Sequence, residues 1–328
     1  MKVAPGQTLD GRFRLGRELG QGGMSALYLA DDLSTDQQVV VKVPLPIFSS
    51  GVGSWSIFQR EEQIGRQLCH PYVLRFVPLP DDKRRSYVVT EYVPGKTLAE
   101  TLASEGPLPE QRALAIASQI CTAIEHIHGH GFVHYDLKPA NVILCPDGSL
   151  RLIDFGLAHA AIDSRFAISG AMPAIASAGY IAPEQIRRKR GRRSVDIYGA
   201  GAILYEMLTG QTPFPDDDPF TVGSARLVCD PPSPRRYRPD LSPQTEEIVL
   251  RALRRNPGDR YASVSELKAD LDHPEAVLVT GLASRLEPPT SWRKLRRKAR
   301  YVFVICVVPI LLQVAIFALL WHRFSHKG

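Results

Sequence analysis

The densest group of chemically able side chains runs from His134 to Asn141, HYDLKPAN, and Asp154-Phe155-Gly156 follows it closely. A second group lies near the start of the chain, Leu19-Gly20-Gln21-Gly22-Gly23-Met24-Ser25. Glycines without side chains let backbone N–H groups approach phosphates closely. A plain turn would have the same composition. The loop leads into a strand pattern rather than a helix, which argues against a Rossmann or P-loop unit. A third feature is Lys42 in VVVKV. A lysine in so apolar a strand is either an edge residue or one half of an ion pair. The candidate partner is Glu61, in a stretch from Trp55 to Leu68 with a helical pattern.

Positioning these groups requires a mixed architecture. Apolar and polar residues alternate as in strands over Phe13–Leu19, Ala26–Ala30, Val39–Val43 and Tyr87–Tyr92. Helical patterns follow over Glu110–His128, Val195–Leu208 and Gln244–Arg254. Strands first and helices later imply an α+β fold of two lobes. A Pro-containing stretch from His273 to Ser291 reads as a linker. There is no internal repeat.

HYDLKPAN at 134–141, DFG at 154–156, APE at 182–184, Asp196 in SVDIYGAGAILYEMLTG and Arg260 in NPGDRY follow one another in the order and spacing of the protein-kinase signature set. The chain resembles the protein kinases over about residues 13–272. Through Gly20-Gln21-Gly22-Gly23-Met24 it is most similar to the bacterial eukaryotic-like serine/threonine kinases. The resemblance implies a small β-rich lobe and a large helical lobe. It also implies ATP as phosphoryl donor, with Mg²⁺, or Mn²⁺ in its place.

The resemblance assigns roles residue by residue. Asp136 would accept or orient the substrate hydroxyl proton, and Lys138 would stabilise the γ-phosphate. Asn141 and Asp154 would hold the metal, since hard oxygen ligands suit it. Lys42 would contact the α- and β-phosphates and pair with Glu61. Gly20, Gly22 and Gly23 would cover the phosphates. Leu19 and Leu27 would line the nucleotide site. Thr90–Val93 resembles the adenine-binding hinge, with Thr90 as gatekeeper and Glu91 and Val93 at the nucleotide. Glu184 and Arg260 look like the ion pair that ties the peptide-binding segment to the large lobe. His134 and Phe155 are expected to pack rather than to do acid–base chemistry. DLKPxN is the serine/threonine form of this loop.

The sequence departs from the pattern in several places. Ser25 stands where the third loop glycine is usual, and Val40 where an alanine is usual, adding bulk to the roof of the adenine pocket. Tyr135 replaces the arginine that in most family members pairs with a phosphorylated activation loop. From Asp154 to Glu184 there is no threonine; the hydroxyls are Ser164, Ser169, Ser177 and Tyr180. Ser177 stands in place of the threonine that usually contacts the catalytic aspartate and lysine. Regulation by loop phosphorylation is therefore in question, while the chemistry is not.

From Tyr301 to Trp321 there are 21 residues without a charge. As a helix they would span roughly 31 Å, enough for a bilayer core, and one proline, Pro309, is tolerated there. Six basic residues, from Arg293 to Arg300, precede the span, so residues 1–300 are expected in the cytoplasm. The expected domains are a kinase domain at 13–272, a linker and basic juxtamembrane segment at 273–300, a single membrane-spanning helix at 301–321 and a short far-side tail at 322–328. No apolar run near Met1 suggests a cleaved leader. The five scattered cysteines suit a reducing compartment.

Of 40 Lys and Arg, twelve sit in two runs, Arg187–Arg193 and Arg293–Arg300; the remaining 28 are outnumbered by 34 Asp and Glu. The charge thus reports two local patches and gives no ground for a nucleic-acid partner. The expected partners are protein substrates and membrane lipid; the first run reads as a solvated loop, as a patch for acidic flanks of a substrate, or as a patch for the lipid surface. Oligomeric state is not legible. Two other classes compete with an active protein kinase. A membrane-tethered pseudokinase would lack equivalents of Lys42, Asp136 or Asp154, and all three are present. A small-molecule kinase of similar fold would not need the APE segment.

Overall fold

The computed structural model describes residues 3–21, 25–45, 61–79, 87–154, 159–160, 179–187, 193–215 and 226–287. The chain divides into two compact units, Met1–Leu286 and Glu287–Gly328. The predicted membrane span, its basic flank and the tail lie outside the described residues. Among the described residues no helix is long and apolar enough to cross a membrane.

The first unit begins with a five-stranded antiparallel sheet in the order β1 (Thr8–Leu9), β2 (Phe13–Gln21), β3 (Ser25–Asp32), β4 (Gln37–Pro44) and β5 (Val88–Glu91). Side chains alternate between its faces, as the period of two requires. Ala26, Tyr28, Ala30, Val39, Val41, Val43 and Val89 join Phe13 and Leu15 in an apolar core. The opposite face carries Leu27, Val40 and Lys42, all half-buried. Register aligns Gly20, Leu27, Lys42 and Val88 in one row, and Leu29, Val40 and Thr90 in the next. Gly20, Leu27, Val40, Lys42 and Thr90 therefore share one sheet face.

Residues 61–65 are helical (α1), and the chain leaves the helix at Arg66, short of the expected Leu68. The following segment is paired on both sides. Leu74 N donates to Leu152 O at 3.0 Å and Leu152 N to Tyr72 O at 2.9 Å. Val77 N donates to Val89 O and Glu91 N to Arg75 O, each at 2.9 Å.

The remainder is mostly helical. α2 (Leu98–Glu105) starts at Thr97, whose hydroxyl accepts from Glu100 N while Glu100 reaches back to Thr97 N. That reciprocal arrangement satisfies two donors at the helix start. α3 (Glu110–Gly129) buries Ala113, Leu114, Ile116, Ala117, Ile120, Ile124 and Ile127, a helical stripe of apolar residues. Around these helices β6 (Lys96–Thr97), β8 (Val142–Leu144) and β9 (Leu150–Leu152) form a three-stranded sheet, and β7 (Phe132–Val133) pairs with β10 (His159–Ala160). α4 (Pro183–Ile186) is one turn long. α5 (Ser194–Thr209) is buried at every position except Ser194 and Glu206, so the other helices pack around it. It ends at Gly210, whose left-handed φ of 73° suits a residue without Cβ. α6 (Pro243–Ala252) and α7 (Val264–Asp272) are capped by Ser242 and Ser263.

The described part of the stretch that reads as a linker, residues 273–287, folds back onto α6. 3-10 turns form at Pro274–Ala276 and Leu282–Arg285. The buried carboxylate of Glu247 on α6 accepts from Thr280 Oγ1 and, at 3.2 Å, from Leu282 N. Prolines and glycines mark where a helix stops; they do not say whether the chain beyond docks again.

Candidate active site

The site forms where β4, α1, the loop after β7 and the residue after β9 converge. Lys42 Nζ donates to Glu61 Oε1 and Oε2, both at 2.8 Å, and to Asp154 Oδ1 at 3.4 Å. The expected partner is thus in place, and the structure adds Asp154 as a second. The Glu61 side chain is 5% exposed and that of Lys42 19%, whereas Asp154 keeps 41%. Burial disfavours the charge on Lys42, but Asp154 and Glu61 more than offset it, so the lysine pKa lies above its ordinary value. Burial pushes the Glu61 pKa up; Lys42 opposes that rise and Asp154 reinforces it.

Asp136 and Lys138 meet on the other side. Lys138 Nζ donates to Asp136 Oδ2 at 2.6 Å. Asn141 Nδ2 donates to Asp136 O at 2.8 Å and to Asp136 Oδ2 at 3.2 Å. Those bonds commit the amide nitrogen of Asn141 and leave its oxygen as an acceptor. Asn141 and Asp154 therefore offer one amide oxygen and one part-exposed carboxylate. That donor set fits Mg²⁺ completed by phosphate and water oxygens. Among the described residues no cluster of three or more His, Cys, Asp and Glu could hold a metal on its own, and such a shared site needs none.

The loop owes its shape to Asp196 on α5. This carboxylate, in a residue 1% exposed, takes His134 N at 2.9 Å, Tyr135 N at 2.9 Å and His128 Nε2 at 2.8 Å. Tyr135 stands at φ 67°, an unusual conformation for a bulky residue. Its N–H is held by Asp196 and its carbonyl accepts from Gln185 Nε2 at 3.1 Å. Next to it Leu137 lies against Gly199 of α5, where a Cβ would come within 2.9 Å of Leu137 Cβ. Only glycine lets the loop sit that close. His134 is fully buried, which agrees with a packing role. Asp154 also has a positive φ, 66°. Neither the Asp196 anchor nor Gln185 was singled out for this role by the sequence, although a lone aspartate in so apolar a helix was a signal that it is paired.

Leu19 and Leu27 are half-buried, on paired strands flanking Gly20. Gly22 and Gly23 lie outside the described residues, as do Phe155, Gly156 and the serines 164, 169 and 177. Glu91 commits its carboxylate to Arg75 N at 3.0 Å and approaches Arg75 Nε and Arg151 Nε, and its own N–H goes to Arg75 O, so its backbone carbonyl is what it could offer a nucleotide. Val93 follows just outside β5. Glu184 and Arg260 form a two-point pair, NH1–Oε1 at 2.7 Å and NH2–Oε2 at 2.8 Å. Of the basic run 187–193 only its ends are described. Arg187 donates to Leu227 O and Arg193 to His128 O.

Comparison with known proteins agrees with this geometry. The family model for the protein kinase domain matches residues 13–271. The chain is similar to serine/threonine-protein kinase PknB of Mycolicibacterium smegmatis, 36% identical over 275 residues, covering 81% of this chain and 43% of that protein. It is 35% identical over 273 residues to PknB of Mycobacterium tuberculosis, covering 80% and 43%. It is 34% identical over 266 residues to PrkC of Bacillus subtilis, covering 81% and 41%. The chain thus spans under half the length of these relatives.

Proposed function

Because the chain belongs to the protein kinase family, we propose that it transfers the γ-phosphoryl group of ATP to serine and threonine hydroxyls of proteins. The observation that carries this reading is the convergence of Lys42, Glu61 and Asp154 opposite the Asp136–Lys138 pair. A pseudokinase need not keep both sets of contacts, Lys42 with Glu61 and Asp154 and Lys138 with Asp136. The relatives named above are serine/threonine kinases, which supports the hydroxyl specificity.

Each residue has a task that its surroundings support. Lys42, kept charged by two carboxylates, neutralises the α- and β-phosphates. Glu61 fixes the lysine. Asp136 receives or orients the proton of the attacking hydroxyl, and Lys138 balances charge on the transferred group. Leu19, Leu27 and Val40 enclose the adenine, and Gly20, Gly22 and Gly23 cover the phosphates. The Glu91 and Val93 backbone meets the adenine edge. Mg²⁺, or Mn²⁺, held by Asn141 and Asp154, would supply positive charge on the phosphate oxygens.

The same reading places the chain at a membrane through residues 301–321, with the kinase domain in the cytoplasm. The uncharged length and the basic flank support it. Carbonate washing should leave the full chain in the membrane fraction; recovery in the supernatant would refute the span. The basic run 187–193 suits protein substrates with acidic flanks.

The test of the reaction is transfer of labelled phosphate from ATP to generic acceptor proteins by the full chain in detergent. Phosphoserine and phosphothreonine are expected. Phosphotyrosine alone, or no transfer, would overturn the reading.

A further inference from the structure

Gly65 lies one helical turn after Glu61, on the same face of α1. A Cβ built on it would stand 2.1 Å from Phe76 Cδ2, 2.2 Å from Cε2 and 2.8 Å from Cγ. Ordinary carbon contacts lie at about 3.5–4.0 Å. The Phe76 ring therefore occupies the space that any side chain at 65 would need, and Phe76 is 4% exposed.

The ring has little freedom to yield. Phe76 bridges Thr90 of β5, and its neighbours Arg75 and Val77 bond to Glu91 and Val89. The same segment pairs with Leu152, two residues before Asp154. At its start the His70 ring stacks on His126 of α3, centroids 4.9 Å apart. The Phe76 backbone is thus fixed from the hinge strand on one side and from the large lobe on the other. α1 belongs to no sheet ladder. Ties of α1 and the turn after it include the Glu61–Lys42 pair, apolar packing of Ile64 and Leu68, and a bond from Arg66 NH2 to Leu79 O.

We propose that Gly65 is a positioning residue: its missing side chain lets the Phe76 ring seat against α1 at the depth that holds Glu61 on Lys42. A methyl group at 65 pushes against a ring whose backbone is fixed on two sides. The helix is the part able to move, and it carries Glu61 with it. The ring also links the placement of Glu61 to the strand that leads into Asp154, so one contact sets both partners of Lys42.

G65A forces its methyl group against a buried ring, so the melting temperature should fall modestly while function falls far more. In the full chain in detergent, G65A should weaken binding of a fluorescent ATP analogue with Mg²⁺ about tenfold, and KM for ATP should rise in step. Lys42, less closely held by Glu61, should react several-fold faster with an amine-acylating reagent in the absence of nucleotide, read by peptide mass mapping. In the F76L background the added methyl should have little effect: G65A/F76L should match F76L within threefold on both measures.

The activity readout rests on the kinase reading; the labelling and the nucleotide affinity do not. A wild-type chain that transfers no phosphate would sink that reading and leave the labelling to judge Gly65. The proposal is overturned if G65A binds and labels like wild type, or if its defect persists undiminished in the F76L background. Should G65A fail to fold, recovery of folding and affinity in G65A/F76L supports the proposal, and failure of the double variant to fold overturns it.

Discussion

Two of the glutamate–cation pairs in this molecule, Glu184–Arg260 and Glu61–Lys42, are built differently. Glu184 and Arg260 lie inside the large lobe, with side chains 8% and 0% exposed. Arg260 also donates to the carbonyls of Arg254 and Ser194, so its guanidinium is satisfied on several sides. Its face lies 4.9 Å from the Tyr198 ring. Glu61 and Lys42 join two small-lobe elements at a cleft, and Lys42 is shared with the part-exposed Asp154. The first pair is closed on all sides. The second keeps one side for a ligand. The difference separates a tie that the fold depends on from a contact that can form and break while the fold persists.

The largest effect should come from the closed pair. Removing one partner of a buried ion pair strands the other charge and costs about 3–5 kcal/mol. Arg260→Ala should therefore lower the melting temperature by roughly 6–20 °C for a domain of this size. A calorimetric midpoint within about 2 °C of wild type would break the contrast.

Next in size is the open pair. Lys42→Met should reduce phosphate transfer at least about 100-fold, equivalent to about 2.7 kcal/mol of barrier. Its melting temperature should fall less than that of Arg260→Ala, because the buried Glu61, whose pKa burial already raises, can take up a proton once the lysine is gone. Asp136→Asn should behave alike. Near-normal transfer in both variants would remove the catalytic assignment.

A third prediction uses pH. Glu61 has its pKa raised above the ordinary 4.5 by burial, so it takes up a proton at a higher pH than a free glutamate. As pH falls through that value the carboxylate charge is lost and Lys42 loses a partner. The acid limb of the rate profile should accordingly lie above pH 4.5, and Glu61→Gln should abolish it at a lower overall rate. For stability the sign is reversed. A raised carboxylate pKa means that folding disfavours the charged form, so the contribution is greatest below the unfolded value and declines as pH rises. At neutral pH Glu61→Gln should melt no lower than wild type. A clear drop in its melting temperature would show that this pair, too, holds the fold.

The smallest effect concerns Tyr135. Its side chain offers no cation to a loop phosphate, and its backbone is committed to Asp196 and Gln185. Phosphatase treatment should change specific activity less than about threefold, since no charge-assisted pair with residue 135 can form or be lost. A large loss restored by incubation with ATP would mean that another basic residue reads the loop.

Local periodicity made the scaffold legible. The alternation over Val39–Val43 lies inside β4, and the pattern over Val195–Leu208 ends one residue short of α5 at each side. The motifs named Lys42, Asp136, Lys138, Asn141 and Asp154, and the structure joins them in two sets, Lys42 with Asp154 and Asp136 with Lys138 and Asn141. What could not be read is what depends on distant contacts. Nothing near Gly65 in sequence announces Phe76, and nothing near Asp196 announces that it holds the loop of Tyr135. The docking of Thr280 on Glu247 is of the same kind, because its acceptor lies on another helix.

The Asp196 anchor also has a consequence for how the chain is made. Its two amide donors, on His134 and Tyr135, leave the ribosome some sixty residues before it does. At roughly 5–20 residues per second the wait is about 3–12 s. Once Asp154 has been made the nascent chain contains Lys42, Glu61, Asp136 and Asp154, yet until Asp196 follows no carboxylate takes the Tyr135 N–H in its left-handed conformation. Catalytic competence is thus deferred by the order of synthesis, and a chain halted before Asp196 carries the signature residues without the carboxylate that shapes their loop.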